Sequence, residues 1–456
     1  MKQRMSKILK YFLLVVIALA VVLLAALAMT FYGLRQFTRG NVARASTISR
    51  LISPISWATS RLTFRSIEQL ETWHALNLLL GKGGKYLVLL QNSDEIRATG
   101  GFIGSYAILD LNSAEPLRLE IRDMYDPSGI SQTLPSPPGQ AEYLSEGKGM
   151  KLIDANWSPD FPTSAKQILQ YFAVIPNDPQ TFDGVIALPL TVVENLLEHL
   201  GGIYVADQQQ LIDGDNLAAV VRQDREHFFA GSRDKAQSLQ SLYTALKLKL
   251  GQLSLTEIWQ LWQTLDHAKL RQEIQVFAQN PKLQKALASA DLTGSLIAYQ
   301  PQDLFIFPVE SNVGINKANR KVSRQLTAQV KDQQLILIVK FQNDFTKAER
   351  PVLPADSNYA VAPHLAYVNY YRLLTRPDMT VESIELNGEP ILDWDETEIT
   401  SAAGVAYKQI GFLLVVLEQE QATAQIEFAI PPIDRPHLII QRQVGLSYIS
   451  IADSIE

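Results

Sequence analysis

The chain has 456 residues, enough for two or three domains at roughly 150 residues each. Hydrophobic residues make up 47% and charged residues 19%, which excludes a disordered chain, and ordinary counts of glycine (24) and proline (22) exclude a collagen-like or low-complexity one. Lys+Arg 41 against Asp+Glu 47 leaves a net charge of -6, too little basic charge for bulk nucleic-acid binding, and the absence of cysteine removes disulfides, thiolate metal sites and cysteine nucleophiles together.

Residues 1–10 form a basic head with Lys2, Arg4, Lys7 and Lys10 and no acid. Residues 11–34 then run uncharged for 24 residues, or roughly 36 Å as a helix, enough to cross a hydrocarbon core of about 30 Å. A cleaved signal peptide is the competing reading, with Ala26-Leu27-Ala28 as a small-x-small site. The run is longer than the roughly 7–15 residues of a signal h-region, which favours a membrane anchor. Arg35, Arg39, Arg44 and Arg50 follow it, so charge alone does not orient the span. The short head and long remainder predict an inside N-terminus and an exported globular part. Residues 35–80 read as a helical stalk interrupted by Pro54, and the Gly81–Lys85 stretch breaks the pattern.

From Tyr86 the texture changes. Tyr86–Gln91 (YLVLLQ) is a continuous apolar run, the mark of a strand buried on both faces. Phe102–Leu109 is a second strand, and Leu117–Arg122 alternates apolar and charged residues. Ser131–Gly149 reads as a long surface loop. Helices are expected over Pro162–Ala173, Leu190–Leu200, Asn216–Arg222 and Asp234–Leu250, with strands at Phe182–Leu188 and Ile203–Ala206. Two further helices fill about 255–290. Strands mixed with helices predict an α/β domain of α/β/α layering over 81–321. Beyond 322 helical periodicity nearly stops. Seven short strands between Gln325 and Gln443, separated by turn signals such as Asn387-Gly388 and Pro431-Pro432, predict a C-terminal all-β sandwich over 322–456.

Phosphate-loop, zinc-protease, nucleophile-elbow and dinucleotide motifs are absent. Thr99–Gly104 is glycine-rich but precedes a strand, so its glycines fit tight packing or a bulge better than a phosphate cradle. What remains is a set of arginines and acids at strand and helix ends: Arg97, Arg122 with Asp123, Arg222 with Arg225, and Arg233. Arginine forks suit phosphate oxygens, and an Asp can hold Mg²⁺ or accept a proton. Solvated ion pairs are the plainer reading of the same residues.

Four runs resemble the bacterial family called domain of unknown function 4012: YLVLLQNSDEIRATGGFIGSYAIL at 86–109, DANWSPDFPTSA at 154–165, FDGVIAL at 182–188 and ESNVGINKAN at 310–319. A weaker resemblance is to the LytR-CpsA-Psr transferases, which move glycopolymers from a polyprenyl-pyrophosphate carrier to the cell wall. YLVLLQ followed by Arg97-Ala98-Thr99, LRLEI ending in Arg122-Asp123, and the later LLEHLGGIYV and DGDNLAAVVR carry it. It departs from that pattern where Gly100 and Gly101 follow Thr99 without the expected acid, and where Asp224 replaces a second arginine. The resemblance implies a membrane-anchored, extracytoplasmic protein of the bacterial cytoplasmic membrane that binds or transfers a polyprenyl-pyrophosphate-linked glycan. In a phosphoryl transfer, Arg97, Arg122, Arg222, Arg225 and Arg233 would bind phosphate, and Asp123 beside Arg122 would hold Mg²⁺ or act as base. The rival expectation is a non-catalytic surface or adhesion protein whose sandwich contacts partners.

Overall fold

The computed structural model describes residues 28–52, 67–112, 119–124, 134–220, 233–264, 273–350 and 364–455, less 30, 38, 42, 146, 176–178 and 218–219. Most of the 11–34 run lies outside the described residues. Among those described, no helix is long and apolar enough to cross a membrane.

Residues 31–37 and 43–52 are helical, and α1 (Ile67–Lys82) follows. Gly83 and Gly84, both at positive φ, end α1 and turn the chain directly into β1 (Lys85–Asn92). Next come β2 (Phe102–Asp110), β3 (Glu120–Asp123), the short α2 (Gln140–Tyr143), α3 (Phe161–Ala173), β4 (Gly184–Pro189) and α4 (Leu190–His199). A small hairpin, β5 (Ile203–Val205) and β6 (Gln210–Ile212), leads to α5 (Arg233–Gln252), α6 (Leu255–Thr264), β7 (Gln275–Ala278) and α7 (Pro281–Ser289).

The first sheet has the order β3-β2-β1-β4-β7, with β1 parallel to β4 and antiparallel to β2. The apolar run of β1 takes the centre because both of its faces are covered. Leu87 and Leu89 pack with Phe161, Ala165 and Ile168 of α3. Tyr86 packs on the other side with Ala75 and Leu79 of α1 and Leu283 and Leu287 of α7. This region is therefore mixed α/β. At Gly184 a Cβ would strike the Phe277 carbonyl of the neighbouring strand, so glycine is what allows β7 to lie against β4. The 131–149 stretch, expected as loop, contains α2 and a bridge between Leu134 and Met150.

The remainder is largely β. Strands β8 (Asp303–Asn312), β9 (Val322–Lys331), β10 (Gln334–Asn343), β11 (Tyr367–Thr375), β12 (Thr380–Leu386), β13 (Glu389–Pro390), β14 (Asp395–Thr400), β15 (Ala406–Val416), β16 (Gln421–Ala429), β17 (His437–Ile440) and β18 (Ser450–Ile455) form two sheets. Their orders are β14-β15-β11-β8-β17 and β13-β12-β16-β10-β9-β18. One core joins them, with Leu304, Tyr371 and Phe412 from the first sheet meeting Leu337, Phe341 and Ile426 from the second. Within it, Arg324 grips Glu310 through two hydrogen bonds of 2.6 and 2.7 Å. Burial opposes the Arg324 charge, but Glu310 outweighs it and raises the guanidinium's hold on its proton.

All ten residues of β8 are buried. Leu304 and Ile306 face the second sheet, while Phe305, Phe307 and Val309 face away from it and pack with Ala98 and Leu296 of the α/β region. Strand β8 thus lies upstream of the 322 boundary read from the sequence and belongs to a sheet covered on both sides. The last two strands each join an outer edge in parallel, β17 beside β8 and β18 beside β9.

Candidate functional site

The loop after β1 is where the sequence placed the first phosphate-binding arginine. It opens with a register shift between Leu90 and Gln91. Gly101 closes it, because a Cβ there would sit 2.5 Å from the Asn92 backbone. Arg97 is only 1% exposed. It donates to the Asn312 carbonyl at 2.7 Å, to Glu95 Oε1 at 2.9 Å and to the Ile96 carbonyl at 3.2 Å, and its Nε lies 3.6 Å from Asp154 Oδ1. Its own carbonyl accepts a hydrogen bond from Gln443. Burial pushes the Asp154 carboxyl up from its ordinary range, and the Arg97 charge pulls against that shift.

Neighbouring residues extend this into a buried polar seam between the two regions. The Thr99 hydroxyl accepts from Gln91 at 2.7 Å and from Asn156 at 3.0 Å. Trp157 stacks on Tyr370, and the Arg372 guanidinium lies 4.4 Å over the Trp157 ring. Arg372 is 1% exposed and donates to Ser311 and Gln409; no carboxylate among the described residues pairs with it, and burial brings its pKa down to about 10. Asp160 accepts from Leu296 N at 3.1 Å and Ala402 N at 2.9 Å, tying the start of α3 to the β region. Three of the runs quoted above, at 86–109, 154–165 and 310–319, meet here. The chemistry of the seam is cohesion: Arg97, Glu95 and Asp154 are held largely by one another and by protein carbonyls, while Arg372 rests on Ser311, Gln409 and the Trp157 ring.

Arg122 and Asp123 lie elsewhere, on the edge strand β3 opposite Tyr106 and Ser105. Arg122 pairs with Glu120 at 3.4 Å, and the two side chains are 31% and 59% exposed. Burial works against the Arg122 charge, while hydrogen bonds to Glu120 and Tyr106 outweigh it and raise its pKa. Arg97 stacks on Phe102 and Arg122 bonds Tyr106, and these two anchors on β2 are four residues apart, about 13 Å. The described residues therefore hold Arg97 and Arg122 at separate places. Arg222 and Arg225 lie outside the described residues. Arg233 opens α5, and its side chain is also outside them. Among the described residues no three His, Asp or Glu side chains come together as metal ligands. Mg²⁺ at Asp123 would rely on phosphate and water oxygens to complete its shell.

Close to β3 the structure shows a groove that the sequence reading did not single out. It lies between β5 and α5 and has a volume of about 560 Å³. The alternation of β5 buries Ile203 and Val205 against Leu217 and Leu242 and turns Tyr204 outward, 60% exposed. Facing it are Gln237, Gln240, Ser241 and Thr244 of α5. Ser241 donates to Asp207 at 3.0 Å, and Gln240 accepts from the Ile121 backbone at 3.2 Å, so the groove abuts the strand that carries Arg122 and Asp123. Its signal was present in the sequence: positions 237, 240, 241 and 244 form one helical stripe opposite Leu239, Leu242 and Leu246.

No curated protein matches the chain. A family model described as a protein of unknown function (DUF4012) matches residues 83–225. That stretch takes in the seam loop, the 154–165 run and the groove strand β5, while the 310–319 run lies beyond it. Over residues 83–225 the chain carries a DUF4012 domain.

Proposed function

We propose that this protein is anchored in the bacterial cytoplasmic membrane through residues 11–34, faces outward, and binds an envelope glycopolymer without transferring it. The observation that carries the reading is the groove between β5 and α5. An outward tyrosine offers a flat apolar platform for a sugar ring, and the amide and hydroxyl groups of Gln237, Gln240, Ser241 and Thr244 match its hydroxyls. Transfer is set aside because Arg97 is held by Glu95, Asp154 and the Asn312 carbonyl, leaving no fork for a pyrophosphate. A polyprenyl-pyrophosphate-linked glycan fits as ligand through its sugar part. The finer fold reading, a LytR-CpsA-Psr-like α/β/α domain followed by a β-sandwich, belongs to this proposal. It is supported by helices on both faces of the first sheet and by one core shared between the two β sheets.

The test is a titration of soluble envelope polysaccharide and peptidoglycan fragments against the parent and Tyr204→Ala. Because a central aromatic contact contributes at least about 1.4 kcal/mol, Tyr204→Ala should weaken binding about tenfold or more at unchanged melting temperature. A parent that binds no glycan, or a variant that binds equally well, overturns the proposal.

A further inference from the structure

The seam encloses a guanidinium whose charge no acid answers among the described residues. Arg372 is 1% exposed, and an arginine does not shed its proton to escape burial. Acids of the same seam and strands are engaged elsewhere: Asp154 with Arg97, Glu310 with Arg324, and Asp395 with the Tyr370 hydroxyl at 2.5 Å. Arg372 has instead the Ser311 oxygen at 3.0 Å, the Gln409 oxygen at 3.4 Å and the face of Trp157. These orient the guanidinium but leave its positive charge in surroundings of low polarity, where an unmatched charge is costly. The lowered pKa of Arg372 has the same cause.

The hydrogen-bonding capacity left over around Arg372 is of one kind. Arg372 Nε and Trp157 Nε1 are buried donors without a partner among the described residues, and the guanidinium carbon lies 4.4 Å from the centre of the Trp157 ring. Trp157 is 3% exposed and Ser311 is fully buried. Ser311 Oγ accepts from Arg372, so its own proton is a third donor, with no acceptor among the described residues. A water molecule accepting two of these would have to place two protons of its own. An anion accepts all three and cancels the charge. A site this closed admits a small sphere and not sulfate, phosphate or a carboxylate. The larger halides are less strongly hydrated than fluoride and lose less on leaving water, so chloride and bromide are preferred to fluoride.

We propose that Arg372, Trp157 and Ser311 bind a halide ion, chloride in ordinary media. Trp157 lies in the 154–165 run, Ser311 on β8 and Arg372 on β11, so the ion ties the α/β region to the sheet that contains both strands. The inference is independent of glycan binding.

The test is thermal unfolding of the full-length chain in detergent micelles, with sodium fluoride replaced stepwise by sodium bromide at constant ionic strength. The melting temperature of the parent should rise by roughly 5–10 °C once bromide exceeds its dissociation constant about a hundredfold. Arg372→Gln should abolish the rise. Trp157→Phe keeps a ring under the guanidinium but has no N–H, and should weaken the apparent bromide affinity about tenfold or more. It carries the test alone if Arg372→Gln does not melt cooperatively. Anomalous diffraction from crystals grown in bromide should place one ion beside Arg372 Nε. A parent that does not respond to bromide overturns the proposal, as does an ion found only elsewhere. A rise that is equal in the parent and Trp157→Phe marks an adventitious ion only and overturns it too.

Discussion

Arg97→Ala distinguishes a seam residue from a phosphate ligand. Removing the guanidinium deprives Glu95, whose side chain is 10% exposed, of its 2.9 Å partner, and leaves Asp154 without its nearest cation. The Asn312 carbonyl loses a 2.7 Å donor in a fully buried position. Breaking one partner out of a buried ion pair costs about 3–5 kcal/mol, since the surviving carboxylate must be protonated or reach water. At about 2–4 °C per kcal/mol, the melting temperature should fall by roughly 6–20 °C. Arg97→Lys keeps the charge but not the fork, so it should lose part of that amount. The assay is thermal unfolding of residues 35–456 at neutral pH, paired with glycan titration below the transition. Glycan affinity should not change while the fold holds. An unaltered melting temperature would refute the seam reasoning, and so would a stable variant that no longer binds a polyprenyl-pyrophosphate analogue.

Arg122→Ala should change stability by only about 0–1 kcal/mol, because its pair with Glu120 is open to solvent; chemical denaturation reads this, and a much larger loss would mean that β3 depends on the residue. Hydrogen bonding to Arg350 and Leu365 holds Glu418 down at about 2, against an ordinary 4.5. A lowered carboxyl contributes stability in full above 4.5 and loses it as the pH falls from 4.5 towards 2. The shift corresponds to at most roughly 3 kcal/mol, and the exposure of Arg350 reduces this to about 1–2 kcal/mol. Glu418→Gln should flatten the acid limb of stability against pH by that amount, and an identical limb in both proteins would contradict the assignment. A fragment of residues 322–456 should give no cooperative melt, since it keeps Arg324 but lacks β8 and with it Glu310; a cooperative melt would show that the sheet closes without β8.

How far the sequence reached is clear from particular elements. The central strand β1 was legible because burial on both faces writes an unbroken apolar run. Helix α4 was legible because one face is wet and the other is not. Strand β7 was missed, since four residues between helices are too few to show a period. Strand β8 was missed for a different reason: its last residues, Glu310, Ser311 and Asn312, are polar yet fully buried, because Arg324 and Asn369 on other strands and Arg97 in the α/β region supply their partners. The same applies to the seam. Asp154, Asn156 and Trp157 were read only as part of a resemblance, and nothing local says that Arg372 will lie over Trp157. Arg97 was read as a phosphate-binding arginine, and spacing could not reveal that its charge would be met by Glu95 and Asp154. Arg222, Arg225 and the side chain of Arg233 fall outside the described residues.

The parallel pairing of β17 with β8 and of β18 with β9 has a consequence for the order of assembly. During synthesis the N-terminal strand of each β sheet emerges first, and its edge stays open until β17 or β18 arrives more than a hundred residues later. A nascent chain therefore presents two unpaired edges until β17 and β18 follow, each able to recruit a strand from a neighbour. Strands β17 and β18 act as late seals. Deleting Ser450–Ile455 would remove β18 and leave β9 available for pairing between molecules.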